Sequence, residues 1–148
     1  MRSGVRLGVD VGKVRVGLAA SDPHGMIATP IATLQRGESP IAAIVREAEE
    51  RDALEILVGL PLSLSGGSTP STDDAVGFAR ELAAATERPV RLIDERLTTV
   101  SAQSQLRQAG RSAKRQRSVV DQVAAVILVQ HALDSERSSG RPPGRPVD

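Results

Sequence analysis

The sequence predicts an α/β fold, a mixed five-stranded sheet in which three antiparallel strands precede two strands entered by helix crossovers, with helices on both faces. Three observations predict it. Three apolar runs near the start are separated only by turn residues. Strands and helical stripes then alternate from Pro40 to Asp94. A last helical segment, Ser118 to Leu133, is apolar on nearly every side through its middle, the mark of a helix buried against a sheet.

Arg6 to Val11 reads as the first strand, Gly12 and Lys13 as a tight connection, and Val14 to Ala20 as the returning strand. Asp22, Pro23 and Gly25 mark a turn into a third strand, Ile27 to Leu34, where Pro30 is tolerable at a sheet edge. Ser39 suits an N-cap and Pro40 a first helical position, and Ile41, Ile44, Val45 and Ala48 make one stripe of a helix running to Arg51. Glu55 to Leu60 is a short strand. Pro61 to Pro70, with Gly66, Gly67 and several serines, is a loop. Ser71 and Asp74 have capping-box spacing for a helix to Ala85, and Val90 to Asp94 is the fifth strand. Thr98 to Gln108 reads as a helix closed by Gly110, and Arg111 to Arg117 as an exposed basic loop. The predicted division is one domain over 1–134 and a disordered polar tail over 135–148, rich in proline and glycine.

Composition excludes several functions. The chain has 148 residues, enough for a single sizeable core. Its one aromatic residue, Phe78, rules out the base-stacking platforms of single-strand binders, so any nucleic acid must be gripped by backbone and shape. Without cysteine there is no disulfide, thiolate zinc site or Cys nucleophile. Nineteen basic residues nearly balance eighteen acidic ones, so the distribution of charge must point to a partner. The longest apolar run, Val123 to Val129, cannot cross a bilayer, and no signal sequence opens the chain; the expected location is cytoplasmic, away from membranes.

Alternation on the first strand turns Val5, Leu7 and Val9 to one face and Arg6, Gly8 and Asp10 to the other. An acid on an apolar strand needs a cation, donor or metal nearby. The residues leave two readings for Asp10, a metal ligand or a residue capping the hairpin turn. Asp94 and Glu95 end the fifth strand, and alternation sends only one of them toward Asp10; a salt bridge to Arg96 with capping by Thr98 is the plainer account. Asp121 has capping-box spacing from Ser118, yet Val119, Val120, Val123 and Ala124 press its turn on the core. Three carboxylates at three element ends suit a hard cation, Mg²⁺ or Mn²⁺, and a pair of such ions about 4 Å apart would serve an in-line displacement at phosphorus. His24 and His131 read as structural. Arg107, Arg111, Lys114, Arg115 and Arg117 are five cations within eleven residues without an acid, suited to contacting a nucleic-acid backbone or simply to solvation. Lys13 and Arg15 could steer a phosphate toward Asp10. The Gly66-Gly67-Ser68-Thr69 loop lacks the ending of a P-loop, which excludes nucleotide binding there.

Read together, four segments resemble the YqgF family, also called RuvX, of RuvC-like proteins in the RNase H superfamily, over about Arg6 to Leu133. They are Gly8-Val9-Asp10-Val11-Gly12 with Val16-Gly17-Leu18-Ala19-Ala20-Ser21-Asp22, then Val58-Gly59-Leu60-Pro61, then Asp94-Glu95-Arg96-Leu97-Thr98-Thr99, and last Asp121-Gln122-Val123-Ala124-Ala125-Val126-Ile127-Leu128. The resemblance implies a metal-dependent nuclease that processes the 5′ end of the precursor of 16S rRNA in ribosome biogenesis. Its implied catalytic and metal-binding set is Asp10, Glu95 and Asp121, with Glu95 taking the place of an acid that RuvC carries after its counterpart of Val58-Gly59-Leu60.

The rival within the same chemistry is a Holliday junction resolvase acting on branched DNA, which needs two sites and hence a homodimer. A reading of another class is a non-catalytic nucleic-acid-binding ribosome assembly factor. An actin-like or acetate-kinase-like ATPase needs a second domain, for which the chain is too short.

Overall fold

The computed structural model describes residues 1–95 and 113–147, with 113–121 described through the backbone alone. Its elements are β1 (Val5–Val11), β2 (Arg15–Ser21), β3 (Ala28–Gln35), α1 (Pro40–Glu50), β4 (Ala53–Leu60), α2 (Pro70–Ala85), β5 (Val90–Asp94), α3 (Ala113–Ser139) and β6 (Arg145–Pro146). The sheet order is β3-β2-β1-β4-β5-β6. β1, β2 and β3 form an antiparallel meander, while β4 joins β1 and β5 joins β4 in parallel.

The two faces are built differently. Leu7 and Val9 of β1, Ile56 and Val58 of β4 and Leu92 of β5 face Ile44 and Ala48 of α1 and Phe78, Ala79 and Leu82 of α2. On the opposite face, Ala19, Leu57 and Ile93 meet Ala125, Leu128, Val129 and Ala132 of α3. Gly8 is what lets α3 approach β1, since a Cβ there would lie 2.3 Å from Val129 Cγ2. This face carries the charged positions predicted for β1, with Arg6 at one end and Asp10 at the other.

Local chemistry sets the turns. Asp22 Oδ1 accepts from the N–H groups of Met26 (2.7 Å) and Ile27 (2.9 Å), closing the β2–β3 connection with its side chain. Pro30 lies on the edge strand beside the register shift between Leu18 and Ala19, the setting in which a sheet tolerates proline.

Four expectations change. Ser39 precedes α1 but adopts a left-handed backbone (φ 54°) and makes no side-chain cap, leaving Pro40 to start the helix. The capping box of α2 is formed two residues early, by Thr69 and Thr72 ahead of Ser71 and Asp74: Thr69 N–H donates to Thr72 Oγ1 (2.9 Å), and Thr72 N–H to Thr69 Oγ1 (3.3 Å). The last helix already includes Ala113, so Ala113 to Arg117 is helical where a loop was expected, and Ser118 lies too far inside to cap it. The tail expected to be disordered stays helical to Ser139, then adds a sixth strand, with Arg91 opposite Pro146 and Leu92 opposite Arg145. Edge pairing and the burial of Val147 overcome its polar composition. The helix expected over Thr98 to Gln108 lies outside the described residues.

Candidate metal centre and nucleic-acid interface

β1, β4 and β5 run in parallel, so their carboxyl ends share one side of the sheet. Asp10 sits there on β1 opposite Gly17 of β2. Glu95 follows β5, and its N–H still donates to the Leu60 carbonyl of β4 (3.3 Å). Of the two neighbouring acids, Glu95 has the alternation of Ile93 and turns to the α3 face, where Asp10 also points; Asp94 has that of Leu92. Gly59 makes room for it, because a Cβ there would stand 2.1 Å from Glu95 Oε2. That glycine was not singled out from sequence, although a lone glycine between Val58 and Leu60 is the usual sign of a close approach within a strand.

Both carboxyl groups are buried, Asp10 9% and Glu95 8% exposed. Burial, the Asp10 charge, a hydrogen bond with Asp10 and the Asp94 charge, in that order, push the Glu95 carboxyl up to about 9. Two carboxylates this close and this dry cannot both ionise unless a cation joins them.

The other end of the same β1 face makes the contrast. Arg6, 1% exposed, donates from Nη2 to Glu136 Oε2 of α3 (2.9 Å). Arg2 reaches both Glu136 Oε1 (2.6 Å) and buried Glu55 Oε1 (2.8 Å). The chain thus answers the charge of Arg6 with an acid, and among the described residues it places a second acid, Glu95, beside Asp10. Oxygen donors from buried carboxylates, with no Cβ on Gly59 to crowd them, fit a hard divalent cation.

Asp121 belongs to the backbone of α3, and its side chain lies outside the described set. The helix antiparallels β1 on this face: Glu136 meets Arg6, and the Ala125 carbonyl lies 3.2 Å from a Cβ built on Gly8. From Ala125 to Asp121 a helix climbs about 6 Å, much the distance of about 6.6 Å that a strand covers from Gly8 to Asp10. Among the described residues no group of three His, Cys, Asp or Glu is placed to hold a metal ion.

Of the cations expected to contact a phosphate backbone, Lys13 is exposed in the β1–β2 turn and Arg15 is half-buried on β2. Arg107 and Arg111 lie outside the described residues, and Lys114, Arg115 and Arg117 belong to the backbone of α3. His24 and His131 are both exposed and stand apart from the acid pair. Among the described residues no helix is long and apolar enough to cross a membrane.

Comparison with known proteins gives concordant matches. The sequence model of the RuvX family, described as Holliday junction resolvase, matches residues 4–135. A protein of Clavibacter michiganensis named "Putative pre-16S rRNA nuclease" is 61% identical over 147 residues, covering 97% of this chain and 91% of its own length. One of the same name from Streptomyces coelicolor is 48% identical over 151 residues, covering 100% of this chain and 90% of its own. Among solved structures, T. thermophilus RuvC in complex with Holliday junction substrate superposes with a TM-score of 0.58 at 15% identity, over 97% of this chain and 99% of that one. The last likeness shows a shared fold.

Proposed function

Since the chain belongs to the RuvX family, we propose that it is a divalent-metal-dependent nuclease that hydrolyses phosphodiesters of precursor 16S rRNA during ribosome biogenesis in the cytoplasm. The observation that carries the reading is the buried Asp10–Glu95 pair at the carboxyl ends of β1 and β5. Asp10, Glu95 and Asp121 are the proposed ligands of Mg²⁺ or Mn²⁺, as a two-metal site. When bound, the ions supply Lewis acidity for an in-line displacement at phosphorus. The residues do the rest: Gly59 admits Glu95, β1 and β5 bring the two acids to one side of the sheet, and loss of the Glu95 proton accompanies binding of the cation. Lys13 and Arg15, with Arg107, Arg111, Lys114, Arg115 and Arg117, are proposed to hold the nucleic-acid backbone beside the acids.

The family's description, Holliday junction resolvase, favours a second reading, cleavage of four-way DNA junctions, for which we propose that two copies of the chain would act as a homodimer. The experiment is a side-by-side cleavage assay of a precursor-rRNA leader and a four-way DNA junction in Mg²⁺ and Mn²⁺. The expected result is cleavage of the leader by wild type and none by Asp10→Asn, with the variant still folded. Symmetric cutting of the junction with the leader spared would move the substrate to DNA. Salt-sensitive binding without turnover in either metal would make the chain an assembly factor, and full activity of Asp10→Asn would overturn the site.

A further inference from the structure

We infer that Arg36 is a positioning residue for the metal centre, tying the β1–β2 hairpin that carries Asp10 to α2. The inference rests on the reading of Asp10 as a ligand.

Asp10 lies one residue past the end of the ladder between β1 and β4. The parallel ladder with β4 ends at Val9 opposite Val58, while the ladder with β2 continues through Asp10 and Val11. Beyond Val9 the hairpin therefore projects with in-sheet support from one side. Its tip closes through the Gly12 N–H donating to the Arg15 carbonyl (2.8 Å).

Arg36, just past the end of β3, holds that tip at two points. Its backbone N–H donates to the Val14 carbonyl (2.9 Å), and its Nη1 to the Gly12 carbonyl (3.1 Å). The same guanidinium then anchors elsewhere, Nη1 on Asp74 Oδ2 (2.6 Å) and Nη2 on Asp74 Oδ1 (3.0 Å). This two-point fork is a geometry that lysine cannot reproduce. Beneath it lies the chain's one aromatic ring, Phe78 of α2, 5.5 Å from the guanidinium carbon to its centroid. Phe78 and Asp74 share one face of α2, four residues apart. The guanidinium thus bridges α2 and a carbonyl two residues beyond Asp10.

General stabilisation is the plainer role for such a pair. Side-chain exposures of 27% for Arg36 and 41% for Asp74 make it a weak contributor of that kind. A metal site is more demanding, because its ligands must be held to within about 0.5 Å. A hairpin that swings about the end of the β4 ladder at Val9 carries Asp10 with it.

The test combines amide hydrogen exchange with Mn²⁺ binding by calorimetry, on the whole chain and on Arg36→Ala, Arg36→Lys and Asp74→Asn. Arg36→Ala is expected to speed exchange at Val11 to Arg15 while β4 and β5 exchange as in wild type. It should weaken Mn²⁺ binding about tenfold, the lower end of the loss when a supporting contact outside the ligands is removed. Arg36→Lys should recover only part, and Asp74→Asn, which keeps the cation and weakens its anchor, should shift both readouts in the same direction and stands in if Arg36→Ala does not fold. Wild-type exchange and affinity in these variants would overturn the inference, as would faster exchange spread over the whole sheet. A wild-type chain that binds no Mn²⁺ would instead remove Asp10 as a ligand, and the hairpin exchange would still decide whether Arg36 clamps the turn.

Discussion

Glu95 occupies a position where ionisation is opposed by burial and by Asp10 alike. Its carboxyl rises from 4.5 to about 9 in the folded chain without metal. Between those values the folded state holds a proton that the unfolded state has released, so this group's contribution is complete below the unfolded value and is lost as pH rises through the folded one. Without divalent metal, the thermal midpoint should therefore fall from pH 5 to pH 9. Glu95→Gln should flatten that fall, because the amide has no proton to lose, and it should raise the midpoint at the alkaline end. Mg²⁺ should restore wild type there and leave the variant nearly unmoved. Parallel pH profiles for the two proteins in EDTA would sink this account. Much at this scale was legible beforehand. Asp10 stood out as an acid on an apolar strand, and alternation left one place for Asp94 or Glu95. The residues alone left the choice between them open and the family resemblance named Glu95, whereas the role of Gly59 needed to be seen from the side chain that fills its space.

Elements show where composition misleads. Residues past Leu133 read as a polar tail because Glu136, Arg137 and a run of serines carry no apolar stripe. The helix nonetheless continues, since Glu136 has a buried partner, Arg6, 130 residues away in sequence, and a pairing of that separation leaves no local mark. Burial pushes the Glu136 carboxyl up, but hydrogen bonds from the Arg2 side chain and backbone and the charges of Arg6 and Arg2 outweigh it and hold the group at about 2. A depressed value means that the stabilisation is present above 4.5 and is lost as pH falls through about 2. Glu136→Gln leaves the Arg6 cation buried without its counter-charge, which costs about 3–5 kcal/mol for a broken buried pair. Urea denaturation at pH 7 should show a loss of that size, shrinking as the wild type is taken toward pH 2. A change under about 0.5 kcal/mol, the range of ordinary surface substitutions, would mean that water reaches Arg6. The capping of α2 has a related lesson: Ser71 and Asp74 had the spacing, but Pro70 set the helix start and Thr69 took the cap, freeing Asp74 for Arg36.

Across the whole molecule, the order of the first five strands and the two helix-covered faces followed from hydrophobic period and turn chemistry alone. The sixth strand did not, because two residues between prolines and glycines carry no strand signal. Its work lies at the edge nearest the acid pair. Without β6, the five-residue β5 that leads to Glu95 would pair on one side only, presenting an open edge to a second copy of the chain. The segment is fastened by Arg91, whose Nε donates to the Pro143 carbonyl (2.6 Å) and Nη2 to that of Gly144 (3.0 Å). Val147 extends the ladder through its N–H to the Val90 carbonyl (3.1 Å) and buries its side chain in the core beside α2. Gly144 passes so close that a Cβ would stand 2.1 Å from the Leu92 carbonyl oxygen, and its φ of +64° suits glycine. Ending the chain at Ser139 keeps all of α3 and the Arg6–Glu136 pair while removing only the strap. The loss of Val147 burial alone should then lower stability by about 1.5–3 kcal/mol, read as an earlier urea midpoint. Exchange should quicken at Val90 to Leu92 before it does in β1, and self-association should appear in sedimentation velocity as the concentration rises. A truncated chain with the association state and the midpoint of the full-length chain would show that the strap rests on β5 without holding it.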